Sequence, residues 1–376
     1  MMNKLIEDSY NIIRDRYIRC FTKETFDYIK DNAIIYDVET GQFLGNSLSS
    51  ELLNETYNRM KQLNKSFILI IDKSEANWGH FKYQDTIHEL CEQTGVPADK
   101  VVFVTNDINC DETYNKWFKR QTKYKIKMTF IGYPANIFER NFEVYDLEEN
   151  YGFSFKIEKY KDREKLPTKK FICLMGHMNK QRKFLWEFFR QNQDIKKAGY
   201  ISMLSEGVVL PNSSTHTDEQ LCEYLWSSPL NDRLQPYHTD SYFSIVPEGE
   251  SGFAFSEKIH KPLLHGHPFI LLSCNTIVDH LDIMEVGVGM LDKLREWGFE
   301  TFPELFDESY DEIDDFEKRN NNIKQQIIKL CNMETKELHK LCVSVEEKCI
   351  HNQKILLSLE IPNKQLVSKL ENLKNG

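Results

Sequence analysis

The chain has 376 residues, 40% of them hydrophobic and 12% aromatic, and its 16 Gly and 11 Pro are too few for a low-complexity or collagen-like protein. At about 150 residues per domain this length predicts two domains or three, and two is the simpler expectation. The 48 basic and 58 acidic residues leave a net charge of -10, which argues against a surface that embraces nucleic acid as a whole but allows a local basic cleft.

Met1 to Asp8 lacks the apolar core of a signal peptide. No apolar run approaches the roughly 18 to 20 residues of a membrane span, so a cytoplasmic protein is expected. The first strong element is Ser66 to Asp72, a buried-strand pattern that ends in an acid and leads into the polar stretch Lys73 to Phe81. Gln84 to Gln93 follows with Ile87, Leu90 and Cys91 on one helical face, closed by Gly95 and Pro97. Val101 to Thr105 reads as a second strand and Lys127 to Ile131 as a third.

Lys161 to Lys170 is charged, carries Pro167 and reads as a linker, after which the alternation restarts. Phe171 to Leu174, Tyr242 to Val246 and Phe269 to Leu272 have strand character, with helices over Gln181 to Gln191 and from Ser256. From about residue 320 the apolar residues fall at helical spacing: Ile323, Ile327 and Leu330, then Leu338, Leu341, Val345 and Cys349. The expected fold is α/β, two facing Rossmann-like domains with a C-terminal helical tail. The expected boundaries are 1–166 for the first domain, 167–330 for the second, and 331–376 for the tail, packing back on the domains.

Several signatures are absent. There is no P-loop, no G-x-S-x-G and no H-E-x-x-H, and Gly287-Val-Gly289 lacks the third glycine of a dinucleotide fingerprint. His260, His265 and His267 cluster, but no Cys, Asp or Glu lies among them at ligand spacing, so no metal is expected there. The nine cysteines form no C-x-x-C and read as reduced, mostly buried thiols.

Tyr242 to Ser273 carries the most chemistry. It reads as a strand, an acidic glycine-containing loop, a helix start at Ser256-Glu257-Lys258, and a turn into another strand. A helix N-terminus offers free N–H groups and a positive dipole end, which suits phosphate. Lys258 and Lys261 share that first turn and oppose the dipole unless an anion neutralises them. Glu248 and Glu257 suit hydrogen bonds from sugar or ribose hydroxyls. The alternative is plain capping by Ser256 and Glu257 with solvated lysines.

Phe255-Ser-Glu-Lys-Ile-His-Lys-Pro-Leu-Leu-His-Gly-His-Pro-Phe269, with Glu248 ahead of it, resembles the donor-site motif of GT-B-type glycosyltransferases, especially the family 10 fucosyltransferases and exostosin-like enzymes. The match is carried by Glu248, Ser256-Glu257-Lys258 and Gly266-x-Pro268. Leu294 to Phe302 and Phe306 to Ile313 look like a continuation found in phage and giant-virus proteins of this kind, which places the chain in a host cytoplasm if it is viral. The resemblance implies that an arginine opening the first helix of the second domain contacts the donor diphosphate, and Arg182 stands in that place, with Lys180 and Lys183 as rivals.

The resemblance therefore implies a glycosyltransferase with a nucleotide-sugar as donor substrate and no cofactor, residues 1–166 forming the acceptor domain and 167–330 the nucleotide-sugar-binding domain. The sequence has no strict D-x-D, which agrees with catalysis without a metal. Asp72, Glu75 and His80, beyond the carboxyl end of the first strand, are candidates for deprotonating an acceptor hydroxyl, and a loop cap would explain each of them equally. Two alternatives stand beside this reading. One is a phage or virus enzyme glycosylating hydroxylated DNA bases, for which the basic aromatic stretch Trp117 to Lys127 would contact phosphates. The other is a nucleotide- or carbohydrate-binding protein without catalysis.

Overall fold

The computed structural model describes residues 21–36, 49–72, 83–105, 109–133, 157–176, 178–210, 235–248, 255–273, 275–278, 283–286 and 288–375. The chain forms two units. The first takes in Met1–Glu139, Ile277–Met284 and Leu359–Gly376, and the second takes in Arg140–Thr276 and Glu285–Ser358.

In the first unit α1 (Lys23–Asn32) leads into β1 (Ala33–Tyr36), then α2 (Ser50–Gln62), β2 (Phe67–Asp72), α3 (Tyr83–Thr94), β3 (Val101–Thr105), α4 (Cys110–Arg120) and β4 (Thr129–Gly132). Thr22 and Ser49 cap α1 and α2, accepting from Thr25 N at 3.3 Å and Leu52 N at 3.1 Å. The four strands are parallel and lie in chain order. With right-handed crossovers, consecutive order puts every crossover helix on the same face. Ile34, Ile68, Ile70 and Phe103 accordingly pack with Leu53, Ile87 and Trp117 from α2, α3 and α4. Their strand neighbours Ile35, Leu69, Ile71 and Val104 point the other way and pack with Ile29 of α1. β4 begins two residues later than the sequence pattern suggests, because Met128 N–H is taken by the Tyr114 hydroxyl at 2.8 Å.

The second unit continues with β5 (Lys169–Met175), α5 (Lys180–Gln191), α6 (Gln193–Lys197), β6 (Gly199–Met203), α7 (Gln235–Thr239), β7 (Ser241–Pro247), α8 (Glu257–His265) and β8 (Phe269–Leu272). Its sheet is again parallel, but the order is β6-β5-β7-β8. The chain therefore builds outward from β5 to β6, then reverses and builds to the other side. β9 (Asn275–Val278) and β10 (Ile283–Val286) form a separate two-stranded sheet.

The C-terminal quarter is helical: α9 (Met290–Glu296), α10 (Phe316–Asn332), α11 (Thr335–Ser344), α12 (Glu346–Ser358) and α13 (Glu360–Asn375). α12 is fixed to α8 by Gln353 Nε2, which donates to Leu264 O at 2.6 Å. Leu359 has φ 55°, a left-handed conformation that ends α12. α13 belongs to the first unit, where Leu366 and Leu370 fill the sheet face that the crossover helices leave uncovered. Asn363 fixes its position, accepting from Thr22 N and donating to the Tyr133 hydroxyl, both at 3.1 Å.

Both parallel sheets with their covering helices match the α/β class expected. Six cysteines, at 91, 110, 173, 331, 342 and 349, are free thiols, and burial pushes Cys91 and Cys331 up to about 12. No helix among the described residues is long and apolar enough to cross a membrane.

Candidate functional site

In a parallel sheet whose order reverses, the two strands at the reversal send their following helices to opposite faces, and a crevice opens beyond their carboxyl ends. In the second unit those strands are β5 and β7. Asn179 and Arg182 follow β5 and Glu248 follows β7, so three polar residues of the sequence meet at that crevice.

The first turn of α5 ties the strand ends together. Asn179 is its N-cap: Oδ1 accepts from Arg182 N at 2.9 Å, while Nδ2 donates to Glu248 O at 3.2 Å. Gln181 Nε2 donates to Ser273 O, just past β8, at 3.2 Å. Arg182 is only 5% exposed, and its Nη2 donates to Glu248 O at 3.4 Å. The guanidinium thus lies against the carbonyl edge of β7, a position its fixed fork of donors suits.

Glu248 is 1% exposed, and its carboxylate fixes the start of α8. Oε2 accepts from Ser256 N at 3.2 Å and also from the Ser256 hydroxyl. Ser256 Oγ in turn accepts from Lys258 N at 3.2 Å and lies 3.4 Å from Lys258 Nζ. One buried carboxylate therefore sets the N-cap, and the N-cap holds both the backbone and the ammonium of Lys258. Gly266 ends the helix with φ 65°, where a Cβ would fall 2.5 Å from Ile157, so the Gly266-x-Pro268 spacing has a conformational cause and a packing cause.

The structure thus brings Arg182, Glu248, Ser256 and Lys258 together. Glu257 is the first residue of α8, and the described residues do not include its side chain. Lys261 lies one turn further along, partly buried, and adds positive charge beside His265. Asp72 closes β2, paired with Thr105 of β3, with its side chain outside the described set. Glu75 and His80 lie outside the described residues. Among the described residues no group of three His, Cys, Asp or Glu could hold a metal ion.

Two other sequence features have structural roles. His267 Nε2–H donates to Ser241 O and Nδ1 accepts from the Ser244 hydroxyl, both at 2.9 Å, so this ring staples β7 to the turn before β8. In Trp117 to Lys127 the rings of Trp117 and Tyr124 are core, packed around His88, and the exposed side chains are mostly basic. Those rings do not face solvent, where a base would stack.

Asn179 and Gln181 were not foreseen as site residues. Their signal is an N-cap asparagine followed by a glutamine on the buried face of an amphipathic helix, which becomes informative only once the carbonyls of Glu248 and Ser273 are known to lie opposite.

No family model matches the chain, and no curated protein does. Among solved structures it is similar to the spinosyn rhamnosyltransferase SpnG, with 12% identity, a TM-score of 0.31, and coverage of 85% of this chain and 76% of that one. A likeness of that degree carries nothing about activity, which rests on the residues of the site.

Proposed function

We propose that the chain is a glycosyltransferase whose nucleotide-sugar donor binds in the second unit, at the carboxyl ends of β5 and β7. The observation that carries this reading is the junction made by Glu248. It ties the N-termini of α5 and α8 to one strand end, with Arg182 and Lys258 alongside. Two helix N-termini and two cations at one crevice suit a diphosphate.

Sugar transfer from such a donor develops negative charge on the departing diphosphate. Positive groups held in place before the reaction lower that barrier without reorganising. In this reading Lys258 contacts the diphosphate, and Lys261 adds charge from the next turn. Glu257 accepts from sugar or ribose hydroxyls. Glu248 and Ser256 keep Lys258 in position, and Arg182 supports the strand end while lending its charge. The resemblance of residues 255–269 to the fucosyltransferase donor motif points the same way, and a metal-independent mechanism fits the absence of D-x-D. Acceptor deprotonation is assigned to Asp72, Glu75 or His80, at or just beyond the carboxyl end of β2.

Calorimetric titration with UDP, GDP and CMP, followed by donor-hydrolysis assays with their sugars, tests this. Lys258→Ala should weaken nucleotide-diphosphate binding about tenfold or more, the loss expected for a charge-assisted hydrogen bond. Unchanged affinity in Lys258→Ala would sink the assignment, and tight binding with no turnover of any sugar would favour a binding protein.

A further inference from the structure

The crevice of the second unit contains a buried polar atom that a diphosphate does not account for. Gln181, the second residue of α5, is 1% exposed, and its Oε1 has no hydrogen-bond partner. The orientation of this amide is fixed by its other end. Ser273 O is a carbonyl and can only accept, so the group 3.2 Å from it is Nε2–H, and Oε1 is left as an acceptor. A buried acceptor without a donor is costly, and native proteins satisfy such groups with protein, water or a ligand.

The place of the amide narrows what that donor is. Glu248 N donates to Leu272 O at 3.0 Å, so the ends of β7 and β8 are paired, and Ser273 is the next residue after that pair. Asn179 reaches the Glu248 carbonyl and Gln181 reaches the Ser273 carbonyl, both from the first turn of α5. The Gln181 amide therefore lies over the same strand ends as the hydrogen bonds that run from Glu248 through Ser256 to Lys258. By position, the backbone N–H groups of Lys180 and Gln181 have no partner inside α5, whereas Arg182 N is taken by Asn179 Oδ1. An anion on this turn sits against the Gln181 backbone, with the side-chain acceptor beside it. The diphosphate of a nucleotide-sugar, ionised at neutral pH, carries only acceptor oxygens and gives Oε1 nothing. The complement is a hydroxyl or N–H on the part of the ligand next to the phosphates.

We propose that Gln181 is a specificity-determining residue of the donor site, its Oε1 accepting from a hydroxyl or N–H of the nucleotide-sugar outside the diphosphate. The inference rests on the transferase reading of this crevice and adds to it the residue that reads the donor on the nucleoside side or the sugar side of the phosphates.

Calorimetric titration of the full chain with inorganic pyrophosphate, UDP, GDP, UDP-glucose and GDP-mannose separates these parts. Gln181→Met keeps the length of the side chain and removes both polar atoms, and Gln181→Asn keeps an amide but withdraws it by one methylene. In both variants pyrophosphate should bind as it does to the parent, which also reports a folded site. Affinity for the nucleotide or nucleotide-sugar that the parent binds best should fall about fivefold, the loss expected for a neutral hydrogen bond. A fall already seen with UDP or GDP assigns the contact to the nucleoside, and one seen only with UDP-glucose or GDP-mannose assigns it to the sugar. Unchanged affinity for every nucleotide in both variants means that Oε1 meets water and overturns the proposal. A loss that extends equally to pyrophosphate marks a structural role and also overturns it. Both of those failures leave the transferase reading standing, whereas a parent chain that binds none of these ligands overturns that reading and this inference with it.

Discussion

Glu248 accepts two hydrogen bonds on one oxygen, both from Ser256, while almost wholly buried. Hydrogen bonds to a charged acceptor contribute roughly twice what neutral ones do. Glu248→Gln keeps the shape and one acceptor oxygen but removes the charge, so it should lower unfolding free energy by about 1 to 2 kcal/mol in urea titrations. A stability equal to the parent would mean that the charge of Glu248 adds nothing to these hydrogen bonds. Gly266 offers a second test. An alanine there meets a left-handed backbone, which costs about 1 to 2 kcal/mol, and places Cβ against Ile157 as well. Gly266→Ala should therefore lose more than the backbone cost alone, and adding Ile157→Ala should relieve the steric component while incurring its own loss of packing. If the second substitution brings no relief at all in the coupling measured by a double-mutant cycle, the steric component is wrong.

At the scale of elements, Arg319 of α10 forms a buried ion pair at 2.8 Å with Asp311, in the turn Glu308–Glu312 between α9 and α10. Asp311 Oδ2 also accepts from Leu291 N at 2.7 Å, holding the start of α9. Burial keeps its carboxyl above the ordinary aspartate range even with Arg319 beside it. Asp311→Ala strands a buried guanidinium and should cost about 3 to 5 kcal/mol. Replacing both partners, Asp311→Leu with Arg319→Met, should lose much less, of the order of the 1 kcal/mol expected for a helix cap. Equal losses in the single and double variants, by chemical denaturation, would contradict this. The elements that sequence showed best are those whose burial is continuous: β2, β3 and β7 are apolar almost throughout. β1 and β6 were missed for physical reasons. β1 has four residues directly after α1, too few to show a period, and β6 begins at Gly199 and contains Ser202. Gly199 suits its strand only because the Phe171 ring occupies the space a Cβ would need, 2.3 Å away, and sequence does not reveal that tertiary contact.

Across the molecule, the crevice in the second unit was legible as a motif but not as a network. The Ser-Glu-Lys helix start was readable, whereas the burial of Arg182 and Glu248 depends on the strand reversal between β6 and β7. A property shared by both units is a buried histidine held neutral by its surroundings. His267 gives Nε2–H to Ser241 O and, when neutral, accepts at Nδ1 from the Ser244 hydroxyl. Burial first, and then the neighbouring His238, hold it well below the ordinary histidine value. His88 is held at about 4, by burial and then by Lys123. In both, the folded state binds fewer protons than the unfolded chain, so their stabilisation is complete above about pH 6.5 and is lost as pH falls below it. For the almost unexposed His267 the slope is about 1.4 kcal/mol per pH unit. The His88 contribution should be spent by about pH 4. Carboxylates with lowered values, Asp240 and Glu304, act in the same direction but only near and below about pH 4, whereas Asp311, raised by burial, acts in the opposite direction above it. Urea midpoints should be level between pH 7 and 8 and fall steadily from 6.5 to 5, with His267→Asn flattening that fall in part. A midpoint constant between pH 7 and pH 5 would mean that neither histidine remains neutral in the folded chain.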